Sequence, residues 1–189
     1  MPHNIAIIGA GPAGFYSADA LMKALPECRI DFIERLPTPF GLIRGGVAPD
    51  HQTTKRVTQK YEKTAMMDQV NFYGNVEIGR DISLMELRKM YDAVVLAIGA
   101  PSDKKLTIPG ADKIGVHGSA AFVGWYNGHP DFRDLEPNLN TSTAVVVGNG
   151  NVAVDVARVL LRSARGMAEA DLPNHVAEVI HAAPIIDVH

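Results

Sequence analysis

The sequence predicts an α/β fold in which one strand–glycine loop–helix unit is followed by the opening of another. Three observations carry this. Two short apolar runs, residues 5–8 and 144–147, each end on a glycine cluster. Each cluster opens a stretch of helical periodicity, and that switch of period at a glycine marks the strand-to-helix turn of a parallel sheet. In the first unit a second strand-like run, residues 29–34, follows the helix and finishes on the acid Glu34. The order gives a Rossmann-like first domain and an incomplete second domain of the same type, cut at its second strand.

Each element has a local reason. Residues 4–8 form a buried strand because the run is short, apolar and stopped by Gly9. Across residues 12–25, Ala18, Leu21, Met22 and Leu25 share one helix face, and Pro26 ends the helix. Residues 29–34 alternate as a strand, reached by a right-handed crossover. Residues 36–49 are a loop rich in proline and glycine, and Asp50 stands where it would cap a helix to about Met66. Residues 70–73 and 76–78 read as short strands around Gly74-Asn75. Ser83 and Glu86 have capping-box spacing for a helix to Tyr91, and residues 93–98 are another buried strand. Residues 101–110, with Lys104, Lys105 and Pro109, read as a linker. Beyond it come a helix at 120–127, a polar loop at 128–141 and a strand at 143–147. A helix at 150–165 then turns Val152, Val156, Val159 and Leu160 inward; a helix at 172–183 and a strand starting at Ile185 follow.

Composition excludes several classes of function. With 189 residues, 47% of them hydrophobic and 21% charged, the chain can bury a core in one or two domains. A net charge of -3 gives no case for nucleic acid or a membrane surface as partner. No run reaches membrane-span length. The one cysteine, Cys28, excludes a disulfide framework, a Cys-x-x-Cys redox pair and a multi-cysteine metal site, so no metal site is predicted. The first residues enter a strand at once, which leads to the expectation of a cytoplasmic protein.

The first glycine cluster, Gly9-Ala10-Gly11-Pro12-Ala13-Gly14, has the context of a dinucleotide fingerprint. Gly9 permits a tight turn, Gly11 lets a pyrophosphate approach the backbone, and Gly14 lets helix and strand pack closely. The helix start offers free amides and a partial positive charge. Glu34 is the acid that would accept from an adenosine ribose. In the loop that follows, Pro39, Phe40, Leu42 and Val47 offer an apolar wall for a flat ring. Val76-Glu77-Ile78 offers a strand edge for adenine.

The segment Leu36-Pro-Thr-Pro-Phe-Gly-Leu-Ile-Arg-Gly-Gly-Val-Ala-Pro-Asp-His51 resembles the flavin-contacting segment of adrenodoxin-reductase-type ferredoxin–NADP⁺ reductases. Gly74-Asn-Val-Glu-Ile-Gly79, Ile108-Pro-Gly110, Phe122-Val-Gly-Trp-Tyr-Asn127 and Gly148-Asn-Gly-Asn-Val-Ala-Val-Asp-Val-Ala-Arg158 are similar to that family in the same order. The resemblance implies an enzyme in which NADPH reduces FAD and the flavin passes single electrons to a ferredoxin, an iron–sulfur protein. It implies an FAD-binding domain over residues 1–103 and an NADP-binding domain over 104–189. By position, Ala13, Glu34, Leu42 and Ile78 match FAD contacts. Lys104 and the loop of Gly148, Asn149, Gly150, Asn151 and Val152 match NADP contacts. His51 and Asp155 match a proton-handling pair near the flavin and the nicotinamide, the candidate catalytic residues.

Two basic stripes, Arg56-Lys60-Lys63 and Arg158-Arg162-Arg165, could greet an acidic ferredoxin or simply be solvated faces. The residues that choose NADP over NAD would follow the strand that starts at Ile185. Two other readings stay open: a truncated nucleotide-binding module without turnover, and a flavin oxidoreductase with a different electron acceptor.

Overall fold

The structure is a computed structural model and describes residues 2–104 and 106–189; of the linker residues, Lys105 therefore lies outside the described set. The chain divides into two compact units. The first takes the residues up to Arg44 together with Thr53–Ala100, the second Gly45–Gln52 and Pro101–His189.

The first unit is a parallel sheet. Strands β1 (Asn4–Ile8), β2 (Arg29–Glu34), β3 (Val70–Gly74) and β4 (Ala93–Leu96) lie in the order β3-β2-β1-β4. β1 is central, with Ile5 paired to Ile30 on one side and Ala93 on the other. Its continuous apolar run follows from burial on both faces. Ile5 and Ile7 enter one core with Phe15 and Met22 of α1 (Pro12–Ala24), while Ala6 and Ile8 enter another. Short helices α2 (Leu42–Gly45) and α3 (Gln52–Lys55) lead to α4 (Thr58–Ala65), whose Tyr61 joins the first core. The second core contains Leu87 of α5 (Leu84–Met90). The capping box of α5 forms in full: Glu86 N donates to Ser83 Oγ at 3.2 Å, and Ser83 N donates to Glu86 Oε2 at 2.9 Å.

Two expectations for this region fail for local reasons. The helix expected to run from Asp50 to Met66 breaks between α3 and α4, where the Thr58 hydroxyl donates to Lys55 O at 2.9 Å and competes with the helical ladder. Residues 76–78 form no strand. Asn75 has φ 60° and turns the chain, Val76 N donates to Glu34 O at 3.0 Å, and Ile78 makes one isolated bridge to Ile82.

In the second unit β5 (Thr143–Ala144) and β6 (Asp187–Val188) pair in parallel, and Val146 N donates to His189 O at 2.7 Å. The strand is shorter than residues 143–147, and Val145 and Val147 are exposed. Helices α6 (Ser119–Tyr126), α7 (Asn151–Leu161) and α8 (Asn174–Ala182) close a core of Phe122, Trp125, Tyr126, Val159, Val176 and Ile180. Trp125 and Tyr126 are packing residues. α7 is shorter than expected, and Val152 in its first turn is half exposed instead of inward.

Gly45–Gln52 packs with the second unit for visible reasons. Ala48 is fully buried in that core, Asp171 N donates to Pro49 O at 3.0 Å, and Asp50 binds arginines of α7 and the residue after it. Asp50 is thus no helix cap. Among the described residues no helix is long and apolar enough to cross a membrane.

Candidate functional site

The first glycine loop is held so tightly that the role of each glycine separates. Gly9 has φ 101°, and a Cβ there would lie 2.4 Å from Ala97 O. A Cβ on Gly14 would lie 2.2 Å from Gly9 O. The fold itself demands both glycines. Gly11 is different. Its φ is -88°, and the nearest atom to an added Cβ is Gly41 Cα at 3.8 Å, an ordinary contact. Neither torsion nor internal space requires glycine here; beyond a modest N-cap preference, its lack of a side chain leaves the backbone open to close approach of an external group.

Gly11 is also the N-cap of α1 and supplies no side-chain cap. Pro12 has no amide, and the amides of Ala13 and Gly14 have no intrahelical acceptor. At the starts of α5 and α6 carboxylates fill such ends. Glu86 takes part in the cap of α5, and Asp103 accepts from Ala120 N at 2.9 Å and from Ser119 Oγ at 2.8 Å at the start of α6. The open start of α1 fits a pyrophosphate.

Glu34 lies beside this loop, with both oxygens engaged by its own backbone. Oε2 accepts from Ala10 N at 2.8 Å and Oε1 from Leu36 N at 3.0 Å. Each carboxylate oxygen retains a lone pair for a further donor such as a hydroxyl. The Pro/Gly loop comes against the fingerprint: Phe40 N donates to Ala10 O at 2.7 Å, and a Cβ on Gly41 would be 2.9 Å from Gly11 Cα. Leu42 is 64% exposed, free to meet a ring. Phe40 is not part of an apolar wall. It is buried in the first core, 5.6 Å from the Phe15 ring and 6.1 Å from Tyr61. Ile78 is half-buried against the second core.

The second glycine loop repeats the design more loosely. Gly148 has φ 146°, and a Cβ there would meet only Ala153 Cβ at 3.5 Å. Gly150 caps α7 without a side-chain bond, and an added Cβ would meet nothing within 4 Å. The helix start is open to an anion, with Asn149, Asn151 and Val152 exposed around it. Lys104 is exposed on a loop of the same unit.

The second unit also brings His51 and Asp155 together, from positions 104 residues apart. His51 Nδ1 lies 3.6 Å from Asp155 Oδ2, ion-pair range but too long for a hydrogen bond. A charged network surrounds them. Arg158 donates from Nε and Nη2 to Asp50 at 2.9 and 2.8 Å, and from Nη1 to Asp155 Oδ1 at 2.8 Å. Arg162 also donates to Asp50 Oδ2. The Asp50 side chain is 6% exposed, and hydrogen bonding from Arg158 holds its carboxyl down at about 2. Of the stripe Arg158-Arg162-Arg165, the first two are therefore occupied by Asp50, and Arg165 lies beyond α7 in a separate 3-10 turn. On the other stripe, Lys60 pairs with Asp19 at 3.1 Å and sits over the Tyr16 ring at 4.4 Å. Burial pushes the Tyr126 phenol up, reinforced by nearby Asp155.

Sequence reasoning missed three of these residues as site partners. The Asp155–Arg158 spacing was a legible i,i+3 pair. The Asp50–Arg158 fork spans 108 residues and leaves no local signal. The cap from Asp103 comes from 16 residues before Ser119, outside any capping pattern.

A family model described as pyridine nucleotide-disulphide oxidoreductase matches residues 3–187. The NADPH:adrenodoxin oxidoreductase, mitochondrial, of Arabidopsis thaliana is 49% identical over 189 residues, covering 100% of this chain and 39% of its own length. The NADPH-ferredoxin reductase FprA of Mycobacterium tuberculosis is 45% identical over 192 residues, covering 99% and 42%. The solved structure of Mycobacterium tuberculosis FprA in complex with NADPH matches with a TM-score of 0.96 at 44% identity, over 100% of this chain and 43% of that one. The chain thus spans about two fifths of the length of these relatives.

Proposed function

The chain belongs to the pyridine nucleotide-disulphide oxidoreductase family, and on that footing we propose that it serves an FAD-dependent enzyme carrying electrons from NADPH to a ferredoxin-type iron–sulfur protein. The observation that carries the reading is Gly11, a glycine that the fold does not need, at the uncapped start of α1. The names of the two relatives supply the donor and the acceptor. Within these 189 residues the one cysteine, Cys28, is buried and free, so they hold no Cys-x-x-Cys pair.

On this reading residues 1–103 are the FAD-binding domain, with residues 45–52 and 101–103 packed in the second unit, and 104–189 belong to the NADP-binding domain. Gly9, Gly11, Ala13 and Gly14 receive the FAD pyrophosphate, Glu34 the ribose, and Leu42 and Ile78 the rest of the cofactor. The loop from Gly148 to Val152, with Lys104, receives NADP. FAD supplies the conversion of a two-electron hydride into single electrons. The protein orients the two nucleotides, and His51 with Asp155 holds or moves the accompanying proton.

The protein expressed from its own reading frame tests this. Mixed anaerobically with NADPH, it should lose its flavin absorbance, and added ferredoxin should restore it. Absorbance unchanged by NADPH overturns the reading, and reoxidation by quinones but not ferredoxin selects the other electron acceptor. The reading includes a cytoplasmic location, expected because the first residues enter a strand at once; relatives named mitochondrial mark the compartment that fractionation must distinguish.

A further inference from the structure

We propose that Arg158 is a positioning residue that sets the geometry of the His51–Asp155 pair from both sides. The proposal rests on the proton-handling reading of that pair. The guanidinium is shared between two carboxylates. Nε and Nη2 form a fork on Asp50, and Nη1 holds Asp155 Oδ1. Asp50 immediately precedes His51 in the chain, and Asp155 is the carboxylate that faces the imidazole. One side chain thereby fixes the backbone that carries the imidazole and the carboxylate opposite it.

The geometry of Asp155 shows the division of labour. Oδ1 is committed to Arg158 at 2.8 Å, and this leaves Oδ2 toward His51 at 3.6 Å. No direct hydrogen bond spans that distance, so the pair does not orient itself. The orientation comes from Arg158. The anchor is well protected: the Asp50 side chain is 6% exposed and carries a second arginine, Arg162. Tyr126 lies near the same groups, fully buried in the core of this unit, with a phenol oxygen that has no hydrogen-bond partner among the described residues. The cluster therefore joins Asp50, Asp155, Arg158 and Arg162, with Tyr126 nearby and Asp155 facing the histidine, and Arg158 is the member that bonds to both carboxylates. The guanidinium makes a two-point fork on Asp50 and a third bond to Asp155 from one fixed plane. A lysine keeps the charge but presents a single ammonium.

The test separates position from charge. In the flavin-loaded protein with ¹⁵N-labelled histidine, at fixed pH, Asp155→Asn should move the ring-nitrogen signals of His51. The same substitution in an Arg158→Lys background should move them at least about two-fold less, the non-additivity expected of coupled residues. An equal displacement in both backgrounds overturns the proposal. If Arg158→Lys fails to fold, Asp50→Asn replaces it as the background, since it removes the anchor and keeps the arginine; the same comparison decides. Flavin reduction by NADPH is the second readout. Arg158→Lys should slow it by the factor seen for Asp155→Asn, on the order of 10-fold or more, and the double variant should be no slower than either. A multiplicative double variant overturns the proposal. A parent protein that NADPH does not reduce overturns the functional reading and leaves the nuclear magnetic resonance comparison to decide the role of Arg158.

Discussion

Replacing Gly11 by alanine should separate cofactor binding from folding, and Gly14→Ala is the contrast that makes the separation meaningful. In Gly11→Ala the new methyl meets only Gly41 Cα, at 3.8 Å, and the φ of -88° suits an L-residue. Two small terms oppose each other. Alanine is a poorer N-cap than glycine, and it also lowers the entropy of the unfolded chain, so the net change in apoprotein stability is within about 1 kcal/mol. In Gly14→Ala the methyl would sit 2.2 Å from Gly9 O, a backbone atom that no rotamer change can move. That overlap costs about 3 kcal/mol or more. Toward FAD the order reverses in meaning. The Gly11 methyl occupies the approach to the α1 amides and should weaken binding by at least about 10-fold, or about 1.4 kcal/mol. Urea unfolding of the flavin-free proteins, paired with fluorescence titration of FAD, measures both quantities. A Gly11→Ala protein that unfolds as easily as Gly14→Ala, or that binds FAD like the parent, refutes the reasoning.

Other perturbations follow from the same geometry. Glu34→Gln leaves one of the amides of Ala10 and Leu36 facing an NH₂ group and should cost about 1–3 kcal/mol even without flavin; unchanged apoprotein stability in urea would show that these bonds contribute nothing. Asp50 has a folded value of about 2 against an ordinary 3.8, so its ionised form is favoured by the fold. The stability it contributes, about 2 kcal/mol, is complete above pH ~4 and lost as pH falls through ~2. Acid titration of parent and Asp50→Asn by circular dichroism should show a steeper loss of stability below pH ~4 in the parent than in the variant. Asp103→Ala removes the cap on α6 and should lower stability by about 1 kcal/mol, read as a fall in Tm.

The parts of the fold legible in the sequence are those with a local cause. β1 and β2 run over 4–8 and 29–34 as read, because short apolar or alternating runs stopped by glycine or an acid have few alternatives. The capping box of Ser83 and Glu86 formed because its four residues contain the whole motif. The failures were tertiary. Asp50 sits at a helix start and suits a cap, but two arginines over 100 residues away offer its carboxylate more. Phe40 looked like a wall because its neighbours are loop residues, yet its ring is drawn into a core assembled from α1 and α4. His51 and Asp155 could be singled out by resemblance, but only the folded chain shows Arg158 bonded both to Asp155 and to Asp50, the residue before His51.

Phe40 has a consequence that reaches beyond its own position. It adopts φ 89°, a conformation that bulky side chains avoid and that costs on the order of 1–3 kcal/mol. The ring's burial against Phe15 and Tyr61, together with the bond from its amide to Ala10 O, offsets that cost. This stretch of the loop thus hangs from a rivet driven into the hydrophobic interior. Trimming Phe15 or Tyr61, neither of which faces the fingerprint's open end, would loosen the rivet and let Gly41 and Leu42 drift from Gly11. Such changes would be scored as cofactor-binding defects although they touch no cofactor, and a screen for flavin loss would recover interior aromatics alongside the glycines.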